Sequence, residues 1–207
     1  MSSIKLRVNI NSKILTFYIL FILPFVSCNS KDSNVLNVYE RTEKNYGYEI
    51  HLVSEKIKIP SDYLKSLIIL ESSGKINVPS RFENHVFNAL VSLRAKKIKE
   101  YKKLKSHHVK DASDEALRNL ASSWGPFQIM GYKCLGLGIT VKDLRGDSAV
   151  YWGAVWINKE YGNYLRKNKF SEAFRIHNTG SPVGKTHHSQ YVTNGLAHIS
   201  YFKNRGN

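Results

Sequence analysis

The stretch IKIPSDYLKSLIILESSG, residues 57–74, predicts the buried helix that organises the domain. Ser61 follows a proline and is suited to cap the start of a helix, and Gly74 is suited to end one. Three apolar residues at helical spacing form its buried face: Leu64, Leu67 and Ile68. A helix with this face must pack against other apolar elements, so we expect it in the core.

Glu71 continues this apolar face, because it lies three residues after Ile68 and four after Leu67. A carboxyl group in the last turn of a buried helix is partly desolvated, and desolvation favours its neutral, proton-donating form. The alternative is a side chain that reaches water where the helix frays. On the first interpretation, Glu71 is a candidate catalytic acid.

Helical periodicity runs through nearly all of the chain from about residue 43. It predicts a long basic helix that includes RAKKIKEYKKLK, residues 94–105. Further helices are predicted where capping residues precede apolar stripes: at Ser113, at Asp147 or Ser148, at Ser171, and through residues 192–202. Alternation at residues 48–52 is weak and also fits a helix. The sequence therefore predicts a mostly α domain.

The N-terminus has the organisation of an export signal. Residues 1–13 carry three basic side chains and no acidic one, and the apolar run at 14–26 is too short to span a bilayer as a helix. Ser27 directly before Cys28 resembles a bacterial lipobox, in which the cysteine is acylated. An uncleaved short anchor is the alternative. Either case predicts an exported protein held at a membrane, which makes nucleic acid an unexpected partner.

These features divide the chain into a lipoprotein-type signal peptide at 1–27, a polar tether at 28–42, and a single domain at 43–207. The formal charge of +15 is spread along the chain and suits an acidic partner such as a cell-wall polymer or anionic lipid. Cys134 is the one thiol after Cys28, and we expect it in the core. We expect a monomer.

No metal or cofactor is expected from the sequence. The pairs His107-His108 and His187-His188 are adjacent residues, and adjacent side chains do not converge on one ion.

Four segments in order resemble the lytic transglycosylase and goose-type lysozyme family. The segment LIILESSG contains the end of the predicted helix, with Glu71 followed by Ser72. The segment SSWGPFQIMG, residues 122–131, has a glycine three residues before Gln128. Two apolar residues follow Gln128, and the second is Met130. FRIHNTGSP at 174–182 places His177 where the family has a tyrosine, followed by Asn178. QYVTNG at 190–195 is centred on Tyr191.

This resemblance implies a lysozyme-like fold, with a long helical insertion between Glu71 and Gln128, and cleavage of the bond between N-acetylmuramic acid and N-acetylglucosamine. It implies that Glu71 is the acid, then the base that closes a 1,6-anhydro ring. Ser72, Met130, His177, Asn178 and Tyr191 are implied to bind sugar or to orient the acid. The Gln128 amide suits a sugar N-acetyl group or hydroxyl, or else holds the loop backbone together.

RFENHVF at 81–87, together with SWGPFQIMG, is closer to phage-type N-acetylmuramidases, which hydrolyse the same bond. Hydrolysis usually needs a second carboxylate for water, and Glu83 is the main candidate, with Asp143 and Asp147 behind it. Glu83 is equally suited to pair with Arg81. A hydrolytic muramidase and a non-catalytic glycan-binding lipoprotein are therefore the alternatives. The basic stretch at 94–105 either contacts acidic wall polymer or is a solvated face.

Overall fold

A computed structural model describes residues 36–205 of the chain. The predicted signal peptide, the lipidation site at Cys28 and most of the predicted tether lie outside these residues. No helix within residues 36–205 has both the length and the apolar character needed to cross a membrane.

The described residues form eight α-helices joined by short strands and two 3₁₀ turns, which confirms the mostly α prediction. The helices are α1 Val38–Ile57, α2 Ser61–Ser72, α3 Asn84–Arg94, α4 Asp114–Leu120, α5 Lys133–Leu137, α6 Ala149–Arg166, α7 Phe170–Thr179 and α8 Tyr191–Arg205. The strands are β1 Arg81–Phe82, β2 Glu100–Tyr101, β3 Leu104–Lys105, β4 Ser122–Trp124 and β5 Ile129–Met130.

Helix α2 forms as its apolar spacing predicts, and Leu64, Leu67 and Ile68 are fully buried. It packs against α1 and α8 in the larger core, which α6 and α7 complete. The predicted end residues are shifted by one. Pro60 occupies the N-cap position and makes no side-chain cap, and Ser73 ends the helix in the left-handed conformation (φ 53°).

Helix α1 begins earlier than the sequence predicts. The Asn37 side chain accepts hydrogen bonds from the backbone N–H groups of Tyr39 and Glu40, and the Glu40 carboxylate accepts from the Asn37 N–H, which makes a complete capping box. Thr42 is fully buried. The predicted boundary at residue 43 is therefore wrong, because residues 36–42, assigned to the tether, belong to the fold. The alternating residues 48–52 are helical.

The predicted long basic helix is also wrong. Helix α3 ends at Arg94, and β2 and β3 pair as an antiparallel hairpin around a two-residue turn, Lys102-Lys103. Leu104 is buried in this hairpin, and Tyr101 packs against the same smaller core, which α3 and α4 also line. Packing of these two apolar residues from an extended segment outweighs the helical preference of the lysines.

The starts of three later helices lie close to the predicted positions. The Ser113 hydroxyl accepts the Ala116 N–H and caps α4 as predicted. Ser148 occupies the N-cap of α6 without a side-chain cap, and α7 begins one residue before Ser171.

A three-stranded antiparallel sheet joins the segment RFENHVF, inside the insertion, to the segment SSWGPFQIMG. Strand β4 is central, with β1 on one side and β5 on the other, so that Arg81 pairs with Ser123 and Ser123 with Met130. The connection from β4 to β5 turns at Gly125, which has a φ of 71° and lies against the Leu144 carbonyl. No side chain fits there, and only glycine adopts this φ without strain.

Gly153 in α6 provides the space for the Phe127 ring, because a Cβ at residue 153 would overlap that ring. We expect Gly153→Ala to lower the free energy of unfolding by about 1–3 kcal/mol through overpacking. Chemical denaturation measures this change. Gly136→Ala is the matched control, since a Cβ there meets open space within α5, and we expect it to be neutral or stabilising. Equal stability of the two variants would contradict the packing argument.

Candidate active site

Glu71 lies in the last turn of α2, at the edge of the larger core. Its side chain is 18% exposed, whereas the apolar residues one and two turns before it are fully buried. The carboxylate is thus held by a rigid helix and still reaches solvent. A partly exposed acid on a buried helix face has the placement that acid–base chemistry needs.

Tyr191, the first residue of α8, donates its hydroxyl hydrogen to Glu71 Oε1 at 2.5 Å. Burial, followed by the charge of Glu71, raises the pKa of Tyr191, so its hydroxyl stays protonated and remains a donor. Among residues 36–205, no hydrogen bond is made to Glu71 Oε2. One carboxylate oxygen is therefore held by the protein, and the other accepts no hydrogen bond from the described residues.

His177 lies beside the same oxygen, with Nε2 3.7 Å from Glu71 Oε1 and 3.0 Å from the Phe127 carbonyl oxygen. A carbonyl only accepts hydrogen bonds, so Nε2 carries the hydrogen. Nδ1 then accepts from the Tyr161 hydroxyl at 2.8 Å. These contacts fix both the orientation and the tautomer of the ring.

The chain of hydrogen bonds continues to Tyr63, whose hydroxyl donates to the Tyr161 hydroxyl oxygen at 3.3 Å. Each hydrogen points the same way, from Tyr63 to Tyr161, to His177 and to the Phe127 carbonyl. Both tyrosines are buried, and burial raises the pKa of each. The backbone of α6 departs from helical geometry at Tyr161 (φ −148°, ψ 19°).

Burial lowers the pKa of His177, and nearby Lys133 lowers it further, although Glu71 and the Phe127 carbonyl act in the opposite direction. The ring side chain is only 5% exposed. His177 is therefore neutral near pH 7, and its approach to Glu71 is a contact between a neutral N–H and a carboxyl group rather than an ion pair. This neutral form is the one that the hydrogen bond from Tyr161 requires.

Gln128 follows Phe127 with a positive φ of 49°, and its amide is occupied by its own loop. The Oε1 atom accepts from the Ser123 hydroxyl at 2.6 Å. The Nε2 group donates to the carbonyls of Gly125 at 3.1 Å and Pro79 at 3.5 Å. The alternative role stated for Gln128, an amide that holds the loop together, matches these contacts. It fixes the turn that presents the Phe127 carbonyl to His177.

Glu83 precedes α3 and pairs with Arg81, with 2.8 Å between Oε1 and Nη2. Its Oε2 atom lies 3.7 Å from His85 Nδ1. The side chain is 23% exposed, and no hydrogen bond joins it to the Glu71 carboxylate within residues 36–205. These contacts match the alternative role stated for Glu83, a partner for Arg81.

The other predicted sugar-binding residues make structural contacts. The buried Ser72 hydroxyl donates to the Ile68 carbonyl at 2.8 Å, one turn earlier in α2. Asn178 Oδ1 accepts the His187 N–H at 3.3 Å. Met130 packs against the smaller core. Of the predicted residues within 36–205, His177 and Tyr191 are the ones that the structure places against the Glu71 carboxylate by a hydrogen bond or a close N–O approach.

Tyr63 and Tyr161 were missed by the sequence analysis. Tyr63 precedes Leu67 by one helical turn, so its position on the buried face of α2 was visible in the sequence. A buried tyrosine hydroxyl needs a partner, and this requirement was the available signal. The identity of that partner depends on the packing of α6 and α7.

Two cavities lie away from the Glu71 carboxylate. One of about 930 Å³ opens between the starts of α1 and α2 and the end of α8. The other, of about 260 Å³, adjoins Gly125 and Pro126 and is also lined by Glu49 and Asp147. Burial, followed by the charge of Asp147, raises the pKa of Glu49. Glu71 lines neither cavity, and we place the candidate site at Glu71 because its partly exposed carboxylate is hydrogen-bonded to Tyr191 and lies near His177.

Within residues 36–205, no group of three or more potential ligand side chains is arranged to hold a metal ion. Cys134 is buried, and burial raises the pKa of its thiol to about 12, so it stays in the neutral form.

Comparison of the chain with protein-family models, with curated proteins and with solved structures found no match.

The neutral state of His177 predicts a pH-dependent stability. Because the folded state lowers the His177 pKa below its ordinary 6.5, the unfolded chain binds the proton more readily. The stability contributed by neutral His177 is present above pH 6.5 and is lost as pH falls from there towards the lowered pKa. The expected slope is at most about 1.4 kcal/mol per pH unit. Denaturation of the wild type and of His177→Gln between pH 8 and 5 measures it.

We expect His177→Gln to flatten this part of the pH profile. His51→Gln is the control, since His51 is exposed on α1, and it should keep the wild-type slope. Identical slopes in all three proteins would show that His177 is not held neutral by the fold.

Proposed function

We propose that this protein cleaves the glycan strand of peptidoglycan, with Glu71 as the general acid. One observation carries the proposal: a partly exposed carboxyl group at the end of a buried helix is held through one oxygen by Tyr191. Three of the four ordered sequence segments, those with Glu71, His177 and Tyr191, meet at this group. The fourth contributes the Phe127 carbonyl that orients His177.

In the proposed reaction, Glu71 donates a proton to the glycosidic oxygen between N-acetylmuramic acid and N-acetylglucosamine. The bond breaks as positive charge develops on the sugar ring. Oε2 is the atom proposed to carry this proton, because Oε1 accepts the Tyr191 hydroxyl. As the carboxylate forms, the Tyr191 hydrogen bond becomes charge-assisted and stabilises it. The nearby Nε2–H of His177 adds a favourable dipole.

The transglycosylase route needs only this one carboxyl group. After the leaving group departs, Glu71 takes the proton of the 6-hydroxyl of the same sugar, and that oxygen closes a 1,6-anhydro ring. The contacts of Glu83 favour this route over hydrolysis, because a carboxylate paired with Arg81 at 2.8 Å is not free to activate water. The product is therefore proposed to be 1,6-anhydro-N-acetylmuramic acid.

The proposed setting is the cell envelope. Export and lipid attachment through Cys28 would place the domain next to its polymer. Removal of residues 1–27, which carry three of the positive charges, lowers the formal charge from +15 to +12, and this charge favours approach to an acidic wall. The reaction as proposed is acid–base chemistry performed by the chain's own residues.

Glu71→Gln tests the acid directly. The amide has nearly the same shape and still accepts the Tyr191 hydrogen bond, but it cannot donate the proton as the carboxylic acid does. We expect wall-lytic activity to fall by at least about 100-fold, with the free energy of unfolding changed by less than about 1 kcal/mol. Clearing of peptidoglycan in zymograms and chemical denaturation measure the two effects. Glu115→Gln, at an exposed acid in α4, is the control. A well-folded Glu71→Gln protein with wild-type clearing would refute the assignment.

The reaction products distinguish the two chemistries. Digestion of purified sacculi should release fragments that end in 1,6-anhydro-N-acetylmuramic acid, which mass spectrometry identifies as one water lighter than hydrolytic products. Under this route, Glu83→Gln affects the rate only through the loop that Arg81 and Glu83 hold. Reducing ends together with a sharp rate loss in Glu83→Gln would show hydrolysis. Absence of digestion would favour the glycan-binding alternative.

A further inference from the structure

The tip of the β2–β3 hairpin is built from two lysines in an unfavourable backbone conformation. Lys102 and Lys103 are the central residues of the two-residue turn, and both have positive φ, 48° and 68°. Positive φ at both positions is the signature of a type I′ turn, which favours Asn-Gly. Local backbone preference therefore does not explain two lysines here. Both side chains are exposed.

The hairpin is connected to the candidate active site through a row of aromatic rings. The Tyr101 ring packs edge-on against the Tyr132 ring, with 6.1 Å between centroids. Lys133 Nζ lies 5.1 Å from the Tyr132 ring and 5.1 Å from the Trp156 ring. The Trp156 ring in turn lies 5.7 Å from the His177 ring, which contacts Glu71.

The two lysines of the turn act on the ammonium group of Lys133. Burial lowers the pKa of Lys133, and the charges of Lys102 and Lys103 lower it further, while Glu160 alone raises it. Lys133 forms no salt bridge with another of the residues 36–205, and it is close enough to His177 to lower the pKa of that ring. The positive charge between the hairpin tip and Glu71 is thus only partly neutralised by the protein. An anionic ligand would relieve this repulsion.

We propose that Lys102, Lys103 and Lys133, the lysine track, bind the carboxylates of the peptide stems that branch from the glycan strand. This inference rests on the proposed function and names the part of the substrate that the site holds outside the cleaved bond. The sugars of the strand are neutral once the stem is attached, so the stem carboxylates are the anions that the strand itself brings. The track begins at Lys133, whose Nζ lies against the same Trp156 ring that the His177 ring contacts. It ends at the exposed turn, as a branch from a strand bound at Glu71 would.

The test separates binding from cleavage by using the Glu71→Gln background throughout. In this background, Lys102→Asn/Lys103→Gly removes two charges and installs the residue pair that a type I′ turn favours, so the melting temperature should be unchanged or higher. The ligands are soluble glycan strands from sacculi freed of phosphodiester polymers, either with their peptide stems or stripped of them by an amidase. The amidase leaves a lactyl carboxylate on each N-acetylmuramic acid, so the stripped strand is still anionic but carries its carboxylates on the sugars rather than along a stem. The control is Lys97→Gln/Lys99→Gln, which removes two exposed charges from the same segment.

We expect the turn variant to bind stem-bearing glycan about fivefold to tenfold more weakly, in line with the loss of two partly screened ion pairs. Its affinity for stripped glycan should not change, and the control should lose less than about twofold for either ligand. An equal loss of affinity for stem-bearing glycan in the turn variant and in the control would show that binding depends on the overall surface charge. That result would refute the proposed role of the lysine track. Unchanged affinity in the turn variant would do the same.

These outcomes are distinct from failure of the proposed function. If the wild-type protein cleaves sacculi but the turn variant binds normally, the track is wrong and Glu71 retains its role. If stem-dependent binding is lost in the turn variant but the wild-type protein releases no fragments from sacculi, the lysine track binds the stems as proposed and the proposal that Glu71 cleaves the glycan is wrong.

Discussion

The hydrogen bond from the Tyr191 hydroxyl to Glu71 Oε1, at 2.5 Å, is the contact on which the site depends. It joins the start of α8 to the end of α2, two helices that pack closely in the larger core. A carboxylate removed from water must be compensated by a donor, or the fold loses stability. Tyr191 compensates one oxygen only. The geometry therefore keeps the group in place and leaves the other oxygen as the one that we propose carries the proton.

His177 is controlled in the same manner, by partners that accept and donate in fixed directions. The Phe127 carbonyl requires a hydrogen on Nε2, and the Tyr161 hydroxyl supplies one to Nδ1. The conformation of the loop at Gly125 and the amide contacts of Gln128 hold Phe127 in position, while Gly153 leaves room for its ring. The loop at Gly125, the irregular turn of α6 at Tyr161 and the space left by Gly153 thus all help to position the two hydrogen-bond partners of His177. These two hydrogen bonds fix the orientation and the tautomer of the ring.

The sequence was sufficient for α2, for the mostly α class and for the position of Glu71, because these follow from apolar spacing along one helix. It was insufficient for the segment 94–105, where lysines favour a helix but Tyr101 and Leu104 pack as a hairpin. It left the role of Gln128 open between a sugar contact and a loop contact, since the observed contacts depend on a positive φ and on Pro79, which lies 49 residues away in the chain. Tyr161 was not identifiable because its role requires the packing of α6 against α7.

The tight turn at Lys102-Lys103 has a consequence for the resistance of the protein to proteases. Two exposed lysines would attract proteases that cut after basic residues, but such enzymes bind their substrates as extended chain, and a two-residue turn flanked by paired strands is not extended. Cutting there requires the hairpin to open first. Contact between Tyr101 and Tyr132 opposes that opening. The turn that exposes the two lysines therefore also protects the peptide bonds beside them from cleavage. The rate of cleavage by such a protease would measure how often the hairpin opens.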